Sequence, residues 1–113
     1  MITIYHNPRC RKSREGLLIL ENSGKNFKII KYLENLLSKE ELEEILIKLE
    51  IEPFDLVRKS EKIWKEQFKG KELSKDDIVD AMVNYPKLIE RPIVINNEKA
   101  VIGRPSSKIL EIL

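Results

Sequence analysis

The chain has little of several things, beginning with cysteine and histidine, of which it has one each. A lone thiol cannot close an internal disulfide, so any disulfide must be made with another molecule, which fits a reducing compartment. One Cys and one His, with no cluster around either, leave no ligand set for zinc, and no metal is expected. No apolar run approaches the ~18 residues that span a bilayer. The opening Met1-Ile2-Thr3-Ile4 lacks the basic and long apolar regions of a secretory signal. A cytoplasmic protein with no membrane contact is therefore expected. Charge of one sign is also scarce. The net charge is +2, with Lys and Glu alternating through most of the chain, which argues against a nucleic-acid partner, since that calls for a one-signed stripe. No repeat, Gly/Ser linker or low-complexity stretch marks a boundary.

What remains is a globular composition: 113 residues, 42% hydrophobic and 35% charged. That is enough for one compact domain to bury about two thirds of its unfolded surface. The chain begins with a short strand, Ile2 to Tyr5. Residues 11 to 23 read as a helix with Leu17, Leu18 and Leu20 inward, ended by Gly24 at C′. Phe27, Ile29, Ile30 and Tyr32 read as a second strand, which makes a right-handed parallel βαβ unit.

Residues 34 to 89 form a mainly helical insertion. Ser38-Lys39-Glu40-Glu41 is a capping box ahead of Leu42, Ile45, Leu46 and Leu49 at helical spacing. A break at Glu52-Pro53 precedes a weaker helix with Ile63, Trp64 and Phe68, ended by Gly70. Trp64 and Phe68 read as core or as a lid. Ser74 with Asp77 caps a further helix running to Pro86.

Past the insertion the period turns extended. Pro92 to Ile95 and Ala100 to Ile102 read as strands joined by Asn96 to Lys99. A last helix starts at Gly103-Arg104-Pro105, with Pro105 as its first residue. The order β-α-β, helical insertion, β-β-α predicts an α/β fold: a small mixed sheet with helices on its faces.

The chemistry concentrates in Tyr5 to Arg14. Cys10 falls where the first strand hands over to the first helix, whose leading N–H groups lack intrahelical partners and favour an anion. Arg9, Arg11, Lys12 and Arg14 lie within four positions of it, and no acidic residue comes before Glu15. Such settings lower a thiol pKa from about 8.5 to roughly 3.5–7.5. The alternative is a small buried hydrophobe, but the Asn7-Pro8 turn and the charged neighbours are poor company for a core residue.

The run His6-Asn7-Pro8-Arg9-Cys10, followed by Ser13-Arg14, resembles the glutaredoxin-dependent arsenate reductase (ArsC) family, which has a thioredoxin-like fold. Leu33-Glu34-Asn35, Leu56-Val57-Arg58-Lys59, Ile89 to Val94 and Gly103-Arg104-Pro105-Ser106 resemble further family blocks in the same order, so the likeness covers essentially the whole chain. It implies a single domain with a thioredoxin-like core at 1–33 and 90–113. It also implies a cysteine enzyme that reduces arsenate to arsenite, with Cys10 as nucleophile and Arg58, Arg91 and Arg104 around the oxyanion. His6 matches a residue that influences the thiol's ionisation, and Pro92 stands where such folds commonly carry a cis proline. Ser13 matches a hydroxyl that either donates to the thiolate or bonds to its own backbone. No bound cofactor is implied; glutathione and a glutaredoxin act as external reductants on a monomer.

Without the resemblance, each arginine reads as a surface side chain, and His6 as a solvent-facing turn residue. The chain departs from the best-known reductases in carrying Arg11-Lys12 where they have small residues. Three rival readings follow. One is a glutathione-dependent thiol oxidoreductase of the same family that ignores arsenate, and another is a binding module with an inert Cys10. The third is a redox-linked, Spx-like regulator that binds RNA polymerase, although Ser13 replaces the second cysteine of its C-x-x-C switch.

Overall fold

A computed structural model describes residues 1–113, which divide into two compact units, Met1–Asn35 with Arg91–Leu113 and Leu36–Glu90.

The first unit is built on a four-stranded sheet of order β2-β1-β3-β4, with β1 at Ile2–Tyr5, β2 at Phe27–Ile30, β3 at Ile93–Asn96 and β4 at Lys99–Ile102. The helix α1, Arg11–Asn22, carries the chain from β1 to β2, so those two strands run parallel with Ile2 opposite Phe27 and Tyr5 opposite Ile30. This is the expected βαβ unit. β3 pairs antiparallel with both β1 and β4, which makes the sheet mixed. The two central strands carry the apolar load. Ile2, Ile4 and Val94 join Leu20 of α1 and Ile109 and Ile112 in one buried cluster. At about 1.5–3 kcal/mol for each fully buried aliphatic side chain, this cluster is the main force holding α1 and the C-terminal segment on the sheet.

Several boundaries differ from the sequence reading. β2 stops at Ile30, because Lys31 to Asn35 turn back on themselves, the N–H groups of Glu34 and Asn35 both bonding to the Lys31 carbonyl. As an edge strand β2 leaves Ile29 exposed. Leu18 does not face inward. It points to solvent, while Leu20 is buried and Leu17 packs on the core's margin. The β3–β4 hairpin turns on Asn97-Glu98 alone, with Asn97 in the left-handed region at φ 57°. The final helix is a 3₁₀ helix, Ser106–Ile112, and Pro105 lies outside it as the N-cap with extended backbone at ψ 161°.

The second unit is helical. α2 (Lys39–Leu49) and α5 (Lys75–Asn84) each begin with a complete capping box, Ser38 with Glu41 and Ser74 with Asp77. The short α3 (Pro53–Leu56), which the sequence reading left as a break, packs on α5 as α2 does. Lys39 joins α2 to α5 through Asp76 and Asp80 at 2.8 and 3.0 Å. α4, Lys62–Gln67, ends in a turn through Gly70 at φ +82°. A 3₁₀ turn follows α5 at Pro86–Leu88.

No helix is long and apolar enough to cross a membrane.

Candidate active site

β1 ends at Tyr5, but the His6 N–H still bonds to the Ile30 carbonyl at 2.8 Å, so the loop leaves the sheet in a fixed direction. Asn7 then folds it. Its carbonyl accepts from the Cys10 N–H at 3.0 Å, and its side-chain Oδ1 accepts from the Arg9 N–H at 3.0 Å. Cys10 is thereby delivered to the N-cap of α1, with extended backbone, and its carbonyl takes the first helical bond, from the Arg14 N–H.

The thiol is half-buried and makes no conventional cap bond. Burial on its own would push its pKa up. Stabilisation of the thiolate outweighs this. The Ser13 N–H, the Arg91 guanidinium and the Lys12 N–H all favour the ionised sulfur, and the net direction is down.

The four cations flanking Cys10 in sequence are not what achieves this. Arg11 and Lys12 both reach Glu15, at 3.4 and 3.8 Å, Arg14 donates to the Pro8 carbonyl, and Arg9 is exposed. The effective cation comes from the far end of the chain. The Arg91 guanidinium favours the ionised Cys10, and its own Nε–H is buried with no acceptor. An unpaired buried guanidinium N–H is costly, of order 1–3 kcal/mol or more, and such exceptions cluster where a ligand supplies the partner. Arg104 stands beside it, donating from Nη1 to the Arg91 carbonyl at 3.1 Å.

His6 is buried rather than solvent-facing. Burial, then the nearby Lys31 and Arg14, push its pKa below the usual histidine value, against weaker opposition from Glu21 and Ser13. The ring is therefore neutral at neutral pH. Its Nδ1 lies 2.6 Å from the Ser13 hydroxyl, which also accepts from the Asn7 N–H at 3.0 Å. That hydroxyl ties the His6 ring to the loop, and Ser13 serves the sulfur through its backbone N–H.

Both Arg91-Pro92 and Arg104-Pro105 are cis peptide bonds. Two glycines make room for Pro92. A Cβ on Gly16 of α1 would lie 2.8 Å from the Pro92 ring, and one on Gly103 would lie 3.0 Å from it. A glycine inside a helical pattern was the available signal for Gly16.

The fold unit that holds Cys10 therefore also holds His6, Ser13, Arg91, Pro92 and Arg104. Arg58 belongs to the helical unit, where its guanidinium pairs with Glu90 at 3.2 Å and Glu61 at 3.5 Å.

A sheet of this order, with a thiol at the start of its first helix and a cis proline before β3, defines a thioredoxin-like α/β protein. A profile described as the ArsC family matches residues 5–112, and the chain belongs to that family. An arsenate reductase of Haemophilus influenzae is 43% identical over 99% of this chain and 98% of its own. One from Escherichia coli is 39% identical, covering 99% of this chain and 80% of its own. The solved structure titled "Arsenate reductase from Vibrio cholerae" superposes with a TM-score of 0.95 at 47% identity, covering 99% of this chain and 97% of that one.

Proposed function

We propose that the protein is a thiol-dependent arsenate reductase acting in the cytoplasm, with Cys10 as nucleophile and Arg91 and Arg104 as the cations that receive the oxyanion. The observation that carries this reading is the buried Nε–H of Arg91, which has no acceptor, on a guanidinium whose charge favours the Cys10 thiolate. Arsenate is an anion, and a thiolate approaching it is repelled unless cations offset both charges. Arg suits this task, because its planar fork holds a tetrahedral oxyanion by paired, charge-assisted bonds and stays charged. We give Arg58 no part in the step, since Glu61 and Glu90 already match its charge.

In the first step the Cys10 thiolate forms a sulfur–arsenic(V) bond and an arsenate oxygen leaves as water. The second thiol must come from outside, because the chain has one cysteine; glutathione has the right chemistry. The two sulfurs each give one electron, arsenic leaves as arsenite, and a disulfide joins Cys10 to glutathione. A glutaredoxin then reduces that disulfide and restores Cys10.

The test is arsenate turnover with glutathione and glutaredoxin, run on wild type and Cys10→Ser together. Loss of all turnover in the variant is expected. Turnover that survives the substitution overturns the reading.

A further inference from the structure

The helical unit carries a cleft of a different chemical character. It is about 420 Å³ in volume and is lined by Phe54, Trp64, Phe68, Leu73 and Ile78, with Lys59, Lys69 and Lys71 around it and no carboxylate in the lining. Its floor is an aromatic array. Trp64 stacks on Phe68 at 5.5 Å between ring centroids with 23° between the planes, and Phe54 tilts against Trp64 at 6.0 Å. Phe68 is in turn held from behind by the edge of Tyr85 at 5.9 Å. These contacts fix the rings before any ligand arrives.

Two features distinguish the cleft from an ordinary core margin. Phe54 is 47% exposed, a large apolar face left at the cleft's mouth. One of its lysines is also set on an aromatic face. Lys39, Lys62 and Lys75 each pair with a carboxylate, whereas Lys59 lies over the Phe54 ring, 4.0 Å from its centre. In a chain whose net charge is only +2, three cations around an aromatic floor with no anion among them make a local field with a definite complement. The turn through Gly70 keeps one side open, since a Cβ added there would meet nothing within 4 Å.

We propose that this cleft binds a small planar aromatic anion, its ring against Phe54 and Trp64 and its charged group among Lys59, Lys69 and Lys71. The volume suits one or two fused rings with an acidic substituent, since small-molecule sites begin at about 300 Å³. Aromatic stacking supplies affinity for the ring and the lysines select the charge. The proposal is independent of the arsenate chemistry at Cys10.

Trp64 is the chain's only tryptophan, so its emission reports on the cleft floor without interference. The probe is 8-anilinonaphthalene-1-sulfonate, with N-phenyl-1-naphthylamine as its neutral counterpart. Saturable one-to-one quenching of Trp64 by the sulfonate is expected, weakened at least ~10-fold by the combined Lys59→Ala, Lys69→Ala and Lys71→Ala variant and by rising salt. The exposed Phe54→Ala variant, expected to weaken both probes, is the second arm, with far-ultraviolet circular dichroism verifying that each variant is folded. Equal sulfonate affinity in wild type and the triple-lysine variant overturns the proposal, as does neutral-probe binding that matches the sulfonate's. Saturable binding of an acidic aromatic peptide without any binding of the sulfonate also overturns it, assigning the cleft to a protein partner instead.

Discussion

The Cys10 site and the aromatic cleft gather their cations in two different ways. In the cleft the lysines come from one stretch of sequence, Lys59 to Lys71, and lie around rings from Phe54, Trp64 and Phe68 in or beside it. At Cys10 the neighbouring cations turn away to Glu15 and Pro8, and the guanidinium that favours the thiolate is that of Arg91, far along the chain. Local sequence charge is thus a fair guide where the backbone is helical and surface-bound. It is a poor guide where a sheet brings distant segments together.

The largest effect that tests this contrast is expected from Arg91→Ala. Removing one positioned oxyanion donor should lower arsenate kcat/KM by ~100-fold, about 3 kcal/mol. It should also move the midpoint of Cys10 alkylation upward, because the variant loses one of the three groups that favour the thiolate. Arg11→Ala should leave both nearly unchanged, since that side chain is paired to Glu15. If Arg11→Ala shifted the alkylation midpoint as far as Arg91→Ala, the contrast would fail.

The packing beneath the site offers the next test. Gly16→Ala places a methyl 2.8 Å from the Pro92 ring and should cost about 1–3 kcal/mol by overpacking, read by chemical denaturation. Gly24→Ala, whose Cβ would meet nothing but must sit at φ +73°, should cost about 1 kcal/mol through backbone strain alone. Equal losses would mean that the Gly16 contact is relieved without consequence.

Helix capping in the second unit gives smaller numbers. Ser38→Ala and Ser74→Ala should each cost ~1 kcal/mol and, lying on separate helices, add nearly independently. Differential melting of the single and double variants measures this.

The smallest effect concerns His6. Its folded-state pKa lies below the ordinary histidine value of 6.5, so the unfolded chain takes up a proton first. Its contribution to stability is therefore unchanged above that pH and is lost as pH falls below 6.5, until the folded-state pKa is passed. A His6→Gln variant should lack this segment of the pH–stability curve. An identical slope in both proteins would remove His6 as its cause.

Much of the fold was legible because its signals are local. Ser38 with Glu41, Ser74 with Asp77, and the apolar spacing of Leu42, Ile45 and Leu46 each announce a helix within a few residues. The parallel βαβ unit followed from strand, helix and strand in succession. The end of β2 and the outward face of Leu18 were misread, since both depend on where neighbouring elements stop covering the chain. The 3₁₀ form of the last helix, with extended Pro105 before it, is likewise absent from an apolar pattern that suits either helix type.

For the candidate site, the sequence by itself determined that a lone cysteine stands at a strand-to-helix junction, and that Arg91 and Arg104 precede prolines at element boundaries. Tertiary structure alone decided which cation faces the sulfur, that the Ser13 hydroxyl bonds to His6, and that Gly16 and Gly103 admit Pro92. The physical reason is range. Caps and helical spacing are energies between residues a few positions apart, whereas the field at Cys10 is set by whichever groups the sheet carries within hydrogen-bonding reach.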